Sequence, residues 1–339
     1  MLVAKLALFG GACGALAWAF TRVLIDVLTK KRVLDRPNSR SSHSAPVPRG
    51  GGIAVVAVAL PAWALVSALS SERPATLAVV LAGALGLALL SWGDDRGGLP
   101  VALRLGAQAV VIAVVFTMAP GRWTLFGDLL PAWAGMAVLG VAWLWFINLF
   151  NFMDGIDGIA TLTAIVSAAV FTVAGLVHAD PLLASLGGAI VGAALGFLPW
   201  NFPAARIFMG DAGSLPLGMA LATCAVMANA SGSLAFPASV LLLGPFLFDV
   251  AFTLVRRATG GRKIGAPHKE HLYQRLSRVW GSHAKVSLLY AGFSVVTGCL
   301  ALCYGGLTEL GKLLSLTLPV AAMLGFAAFV LRAERVKGS

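Results

Sequence analysis

The sequence predicts an all-α, polytopic membrane protein of about eleven transmembrane helices, and three observations predict it. Hydrophobic residues fill 59% of the 339 positions and charged residues only 12%, a balance with too little polar surface to cover a water-soluble chain. Apolar runs of about 20 residues, enough to cross a bilayer as a helix, recur from the first residues to the last few. Lys and Arg fall almost entirely in alternate connections between those runs, as they do when cytoplasmic loops collect the positive charge. No stretch remains for a separate soluble unit, so residues 1–339 read as a single transmembrane domain.

Taken in order, the runs between Gly, Pro and charge breaks are 2–28, 51–70, 75–91, 103–119, 133–150, 158–177, 182–198, 214–230, 234–255, 284–304 and 310–331. The first reads as a span and not as a cleaved leader, since only Lys5 stands at its start and the later spans make cleavage unnecessary. Gly188, Gly192 and Gly196 share one face of the seventh run and predict close helix packing. Cys13, Cys224, Cys299 and Cys303 all lie within apolar runs, with no CxxC or Cys/His metal spacing, and read as packing residues.

With the N-terminus outside, only four of the 25 Lys and Arg residues, Lys5, Arg73, Arg122 and Lys312, stay on the outer face. Glu72, Asp128, Asp180 and Glu309 balance them there, so the net charge of +11 belongs to the cytoplasmic face. Topology and anionic lipid headgroups account for that charge, and nucleic acid is not needed as a partner.

The outer connections are short and bland, whereas the inner ones are rich in Asp, Asn, His and Arg, which places chemistry on the inner side. In SWGDDRGG, Asp94 and Asp95 sit where the third span meets the cytoplasm, and adjacent carboxylates repel each other unless a cation or a proton lies between them. In NLFNFMDGIDG, the three-residue spacing sets Asn148, Asn151, Asp154 and Asp157 along one side of any helical turn, at a membrane edge where unpaired carboxylates are costly. A third segment carries Asn201, Arg206 and Asp211; glycines flank Asp211 closely, and Ser214 is placed to cap the next span. The first inner loop, RPNSRSSHSAPVPRGGG, adds His43 and a group of cations, and the fifth, RRATGGRKIGAPHKEHLYQRL, adds Arg257, His268 and His271. A His pair without Cys beside so many aspartates favours a hard cation over zinc. Such loops suit a Mg²⁺ diphosphate site and phosphoryl transfer.

These motifs, in this order and over nearly the whole chain, resemble the polyprenyl-phosphate N-acetylhexosamine-1-phosphate transferase family, which includes the phospho-N-acetylmuramoyl-pentapeptide transferase of peptidoglycan synthesis. Asp94 and Asp95 match its DD pair, Asn148 to Asp157 its NxxNxxDGxDG segment, and Asn201 and Asp211 its NFxPAxxFMGDxGSLxLG segment. The resemblance implies transfer of a HexNAc 1-phosphate from a UDP-sugar to undecaprenyl phosphate with release of UMP, at the cytoplasmic face of the bacterial inner membrane, with Mg²⁺ (or Mn²⁺) as cofactor. The first loop lacks the peptidoglycan enzyme's KxGTPTMGG run and the fifth its three consecutive histidines; HKEHLYQRL is closer to transferases that initiate O-antigen or other surface glycans.

The candidate catalytic groups are then Asp94, Asp95, Asp154, His268 and His271, and the candidate metal ligands are Asp211 and Asp94. Asn148, Asn151, Asp157, Asn201, Arg206, Arg257 and His43 are the candidate substrate-binding residues. Besides donor and acceptor, membrane lipids are expected partners, with a homodimer as one arrangement of the chain itself. A cation-coupled secondary transporter is the rival reading, but transporter sites lie near the bilayer midplane, whereas these aspartates cluster at one interface.

Overall fold

The computed structural model describes residues 2–35, 46–70, 74–97, 99–118, 131–263, 265–266 and 268–338, apart from the side chains of 74–76, 95–97, 118, 132 and 338. His43 and the Asp95 side chain lie outside the described residues. The architecture is helical: α1 (Leu2–Lys30), α2 (Gly52–Leu69), α3 (Pro74–Gly97), α4 (Val101–Met118), α5 (Ala132–Phe152), α6 (Ile159–Val177) and α7 (Pro181–Asn201) lead to α8 (Asp211–Ser231). Then come α9 (Phe236–Leu242), α10 (Gly244–Thr259), α11 (Leu272–Trp280), α12 (His283–Cys303) and α13 (Glu309–Gly338). One two-stranded antiparallel ribbon joins β1 (Leu34–Asp35) to β2 (Val47–Pro48).

Among the described residues nine helices are long and apolar enough to cross a membrane alone, α9 with α10 makes a tenth as a bent pair, and the shorter apolar helix at Val101–Thr117 matches the fourth predicted run. The runs thus all recur as helices. The ninth does not recur as one straight helix: α9 and α10 meet at 74°. Gly244 and Pro245 stand at the bend, and proline removes a backbone donor and clashes with the preceding turn. Thr297 of α12 donates its hydroxyl to the Leu242 carbonyl at 3.2 Å, satisfying a group that the bend would otherwise leave unpaired in lipid.

Packing follows residue size. α8 is buried along almost its whole length, at the centre of the bundle, while α1 and α13 turn broad apolar faces outward. A Cβ on Gly192 would run into the Gly10 carbonyl and one on Gly196 into the Gly14 carbonyl, so α1 and α7 touch backbone to backbone along the predicted glycine face. The cysteines divide: Cys13 and Cys224 are buried, but Cys299 and Cys303 are exposed and do not pack in the core, being on the outward side of α12.

Candidate active site

The end of the bundle where α3, α5 and α7 finish and α8 begins collects most of the polar side chains. α5 ends at Phe152, so only Asn148 and Asn151 share its helical face; Asp154 and Asp157 lie beyond the helix and diverge, contrary to the single face expected from their spacing. Asn148 donates to Gln108 of α4 at 2.5 Å and to the Leu144 carbonyl at 2.8 Å. Asn151 donates to Ser214 Oγ at 2.7 Å, and Ser214 donates to the Gly210 carbonyl at 3.2 Å. Ser214 is therefore not the cap of α8, which begins three residues earlier at Asp211 behind a Gly210 with φ 71°. Its role is to tie the end of α5 to the first turn of α8.

Asp211 thus stands at a helix N-terminus, where a negative charge is favoured. The ribbon explains how the segment between α1 and α2 reaches it. After β2 the chain bridges Phe208, with Gly50 and Gly51 donating to the Phe208 carbonyl at 3.2 and 2.8 Å and Gly52 to Met209 O at 2.9 Å. Gly50 has φ 107°, and a Cβ at Gly52 would collide with Gly213, so the approach of these two backbones depends on glycine on both sides. It brings Arg49 Nη2 to 2.7 Å from Asp211 Oδ1.

The second guanidinium comes from α4. Arg104 Nη1 lies 2.7 Å from Asp94 Oδ2 and 3.7 Å from Asp211 Oδ2, so two carboxylates from α3 and α8 aim at one cationic nitrogen. Asp94, which lies in the last turn of α3 and not past its end, also accepts the Leu99 amide. Asp154 is the third member: burial first, and the nearby Asp211 charge second, raise its carboxyl to about 7 despite the opposing pull of Arg49. Asp154 thus adds a third carboxyl to the cluster but carries only part of a negative charge at neutral pH.

The histidine loop closes one side. Tyr273 of α11 donates its hydroxyl to the Phe152 carbonyl at 2.9 Å, and there is no room for a side chain at Gly155 beneath Tyr273 and Gln274, so α11 sits directly on the segment carrying Asp154. His268 and His271 lie with ring centroids 5.0 Å apart. Burial, His271 and Arg257 press the His268 pKa down to about 4. His271 is buried and holds its Nδ1 3.2 Å from Asp249 Oδ1.

Other predicted site residues have partners within the protein. Asn201 is buried between Thr161, which donates to it at 2.8 Å, and the Ile207 carbonyl, to which it donates at 3.0 Å. Asp157 accepts the Ala205 amide at 3.0 Å and faces His283 Nδ1 at 3.1 Å, and its carbonyl accepts from Ser287. Arg206 is exposed and lies over the Trp200 ring at 5.3 Å. Arg257 is buried, with Nη1 on Glu270 at 2.5 Å and Nη2 on the Lys263 carbonyl at 2.6 Å. Burial would raise the Glu270 pKa, but Arg262, Arg257 and Arg275 together hold it below its usual value.

Three participants escape a reading by motif. Arg49 and Arg104 look like the other membrane-edge cations, and only the structure separates them from topology. Asp249 had a signal: it is an ionisable residue inside an apolar run, which in a membrane marks function by default.

Among the described residues no group of three or more His, Cys, Asp or Glu surrounds a single point as a finished metal site; arginines stand between the carboxylates. The donor chemistry nevertheless fits a hard divalent ion, being all carboxylate oxygen, and Asp94 and Asp211 face the same Arg104 nitrogen at 2.7 and 3.7 Å.

Fold and site define a class: a polytopic membrane protein whose charged centre, carboxylates bridged by arginines beside a histidine loop, lies at one end of the bundle. The profile of glycosyl transferase family 4 matches residues 77–229, which takes in Asp94, Asn148 to Asp157 and Asp211. The chain is 32% identical to the decaprenyl-phosphate N-acetylglucosaminephosphotransferase of Mycobacterium leprae, over 82% of this chain and 79% of that protein. It is 29% identical to a probable undecaprenyl-phosphate N-acetylglucosaminyl 1-phosphate transferase of Bacillus subtilis, over 78% and 75%. With a phospho-N-acetylmuramoyl-pentapeptide-transferase of Desulforudis audaxviator it shares 30% identity, over 69% and 75%. The chain belongs to glycosyl transferase family 4, among its polyprenyl-phosphate sugar-phosphate transferases.

Proposed function

We propose that this protein transfers a HexNAc-type sugar 1-phosphate from a UDP-sugar to polyprenyl phosphate, undecaprenyl phosphate in a bacterial inner membrane, releasing UMP and initiating a surface glycan. The observation that carries the reading is the convergence of Asp94, Asp154 and Asp211 around Arg49 and Arg104 at one end of the bundle. A diphosphate donor and a phosphate acceptor both need cationic and metal contacts at one place, and the N-out orientation given by the Lys and Arg distribution turns that place toward the cytoplasm, where nucleotide sugars are made. Mg²⁺ held by Asp211 and Asp94 would neutralise charge on the transferring phosphoryl group.

The residues of the chain supply the rest. Arg49 and Arg104 offer forked donors to phosphate oxygens, and Asp94 orients the acceptor. A phosphate monoester has its second pKa near 6, so the acceptor is mostly ionised at neutral pH and direct in-line attack on the sugar-linked phosphorus needs positioning more than proton removal. An apolar cleft of about 1040 Å³, lined by Trp145, Phe248, Phe293, Leu300 and Leu314 around the α9–α10 bend, has the chemistry to take part of an isoprenoid chain. α10 runs from that cleft toward the histidine loop.

The test is to incubate the purified protein with undecaprenyl phosphate and a panel of UDP-sugars, with and without Mg²⁺, and to measure UMP release and the lipid-linked product. Metal-dependent product with one UDP-HexNAc is expected. Absence of product with every donor, together with ion-driven solute uptake into proteoliposomes, would replace the transferase reading with the transporter.

A further inference from the structure

Asp249 is fully buried in α10, in the middle of an otherwise apolar segment. Its two oxygens accept from four donors, Thr253 Oγ1 at 3.3 Å, Leu272 N at 2.9 Å, Tyr273 N at 3.0 Å and the Tyr290 hydroxyl, and His271 Nδ1 lies 3.2 Å from Oδ1. Among the described residues no Lys or Arg pairs with it. Two of the donors are first-turn amides of α11, so Asp249 caps that helix from another one.

Capping alone does not call for a carboxylate. An Asn, Ser or Thr oxygen would accept from both amides with a smaller desolvation cost. A carboxylate, unlike those oxygens, also biases the protonation of a partner, and His271 is the one partner here that has a choice to make: its Nδ1 either carries a proton toward Asp249 or presents a lone pair to a carboxylate, which is repulsive. The ring is also fixed in plane, stacked on Tyr273 with centroids 5.8 Å apart and 21° between planes and with His268 on its flank at 5.0 Å. Nε2 makes no hydrogen bond among the described residues, and α11 as a whole rests on the Asp154 segment through Tyr273.

We infer that Asp249 is the positioning residue of the site: it holds the proton of His271 on Nδ1 and so reserves Nε2 for the phosphate groups of the reaction. This inference rests on the transferase reading for its chemistry, and the arrangement is the one seen where a carboxylate behind an imidazole fixes tautomer and orientation.

The experiment is ¹⁵N-histidine NMR of the full-length protein in nanodiscs at neutral pH, with the His271 signals assigned by their loss in His271→Gln. Nδ1 protonated in the wild type, whether as the neutral tautomer or as imidazolium, is the expected result; a bare Nδ1 overturns the inference. Asp249→Asn should lower kcat by roughly 10- to 100-fold with donor KM changed only a few-fold, and should redistribute the His271 proton between the two nitrogens. A variant that folds with unchanged kcat overturns the role. If Asp249→Asn yields no folded protein, the wild-type tautomer decides alone. The two readings fail separately, because a wild type without transferase activity removes the proposed function and leaves the tautomer measured, while an active wild type with a bare Nδ1 removes only this inference.

Discussion

Replacing Asp154 with Asn changes how stability depends on pH. In the folded protein burial, then the Asp211 charge, lift this carboxyl to about 7, against about 3.9 in an unfolded chain. Between those values the unfolded chain releases the proton and the folded protein keeps it, so wild-type stability falls as pH rises through the window and levels off above about pH 7. From pH 5 to 7 the loss from this one group is about 2.3 kcal/mol. A chain of this size shifts its midpoint by roughly 1.4 °C per kcal/mol, so the expected loss is about 3 °C. The assay is thermal unfolding in detergent with EDTA at pH 5, 6 and 7, followed by tryptophan fluorescence, comparing wild type with Asp154→Asn. The variant should gain about 3 °C on the wild type across the window. In an Asp211→Asn background the gain should shrink and be complete at lower pH. A gap that stays constant or narrows as pH rises would refute a protonated Asp154 and the crowding of carboxylates inferred from it.

Four further outcomes are expected. Gly213→Ala places a Cβ against Gly52 and Met209, so its thermal midpoint should fall by the equivalent of about 1–3 kcal/mol, with turnover falling too because Asp211 moves with the start of α8. Arg104→Gln leaves Asp94 and Asp211 without their shared cation; added Mg²⁺ should raise its midpoint by more than it raises that of wild type, and an equal rise would separate Arg104 from the metal position. Arg257→Lys replaces a buried fork bound to Glu270 and Lys263 by one point charge, and donor KM measured from UMP release should rise; unchanged KM and folded yield would leave the loop without a donor role. His268, held at about 4, is neutral throughout pH 5.5–8, so any limb of the pH–rate profile in that range should survive His268→Gln.

The helices were legible in the sequence because burial in lipid demands long apolar runs, and each run kept that demand. The bend at Gly244 and Pro245 was not, since hydropathy is the same on both sides of it. Motif residues were easier to collect than to sort. Asp94, Asp154 and Asp211 do come together, while Asn201 and Asp157, in equally polar motifs, engage the backbone of Ile207 and Ala205, contacts that no spacing announces. The spacing of Asn148, Asn151, Asp154 and Asp157 suggested one helical face because three-residue intervals fit a helix; the glycines after each Asp were the stronger signal that the helix would stop. Asp249 carried its signal in its surroundings, a charge where the chain is otherwise oily, and arginines such as Arg49 and Arg104 carried none, because membrane edges collect arginine for topology as readily as for chemistry.

The glycine seam between α1 and α7 sets an order on biogenesis. α1 leaves the ribosome before α7, and its backbone partners, Gly192 and Gly196, are made roughly 180 residues later, which at synthesis rates of about 5–20 residues per second is some ten to forty seconds. During that interval Gly10 and Gly14 present a flat strip of backbone to whatever lies beside them in the bilayer, lipid or insertase. The first helix must therefore wait, unmatched, until the seventh arrives, and substitutions along this strip would show first as a failure of membrane assembly, with young chains lost to quality control before any of them could be assayed.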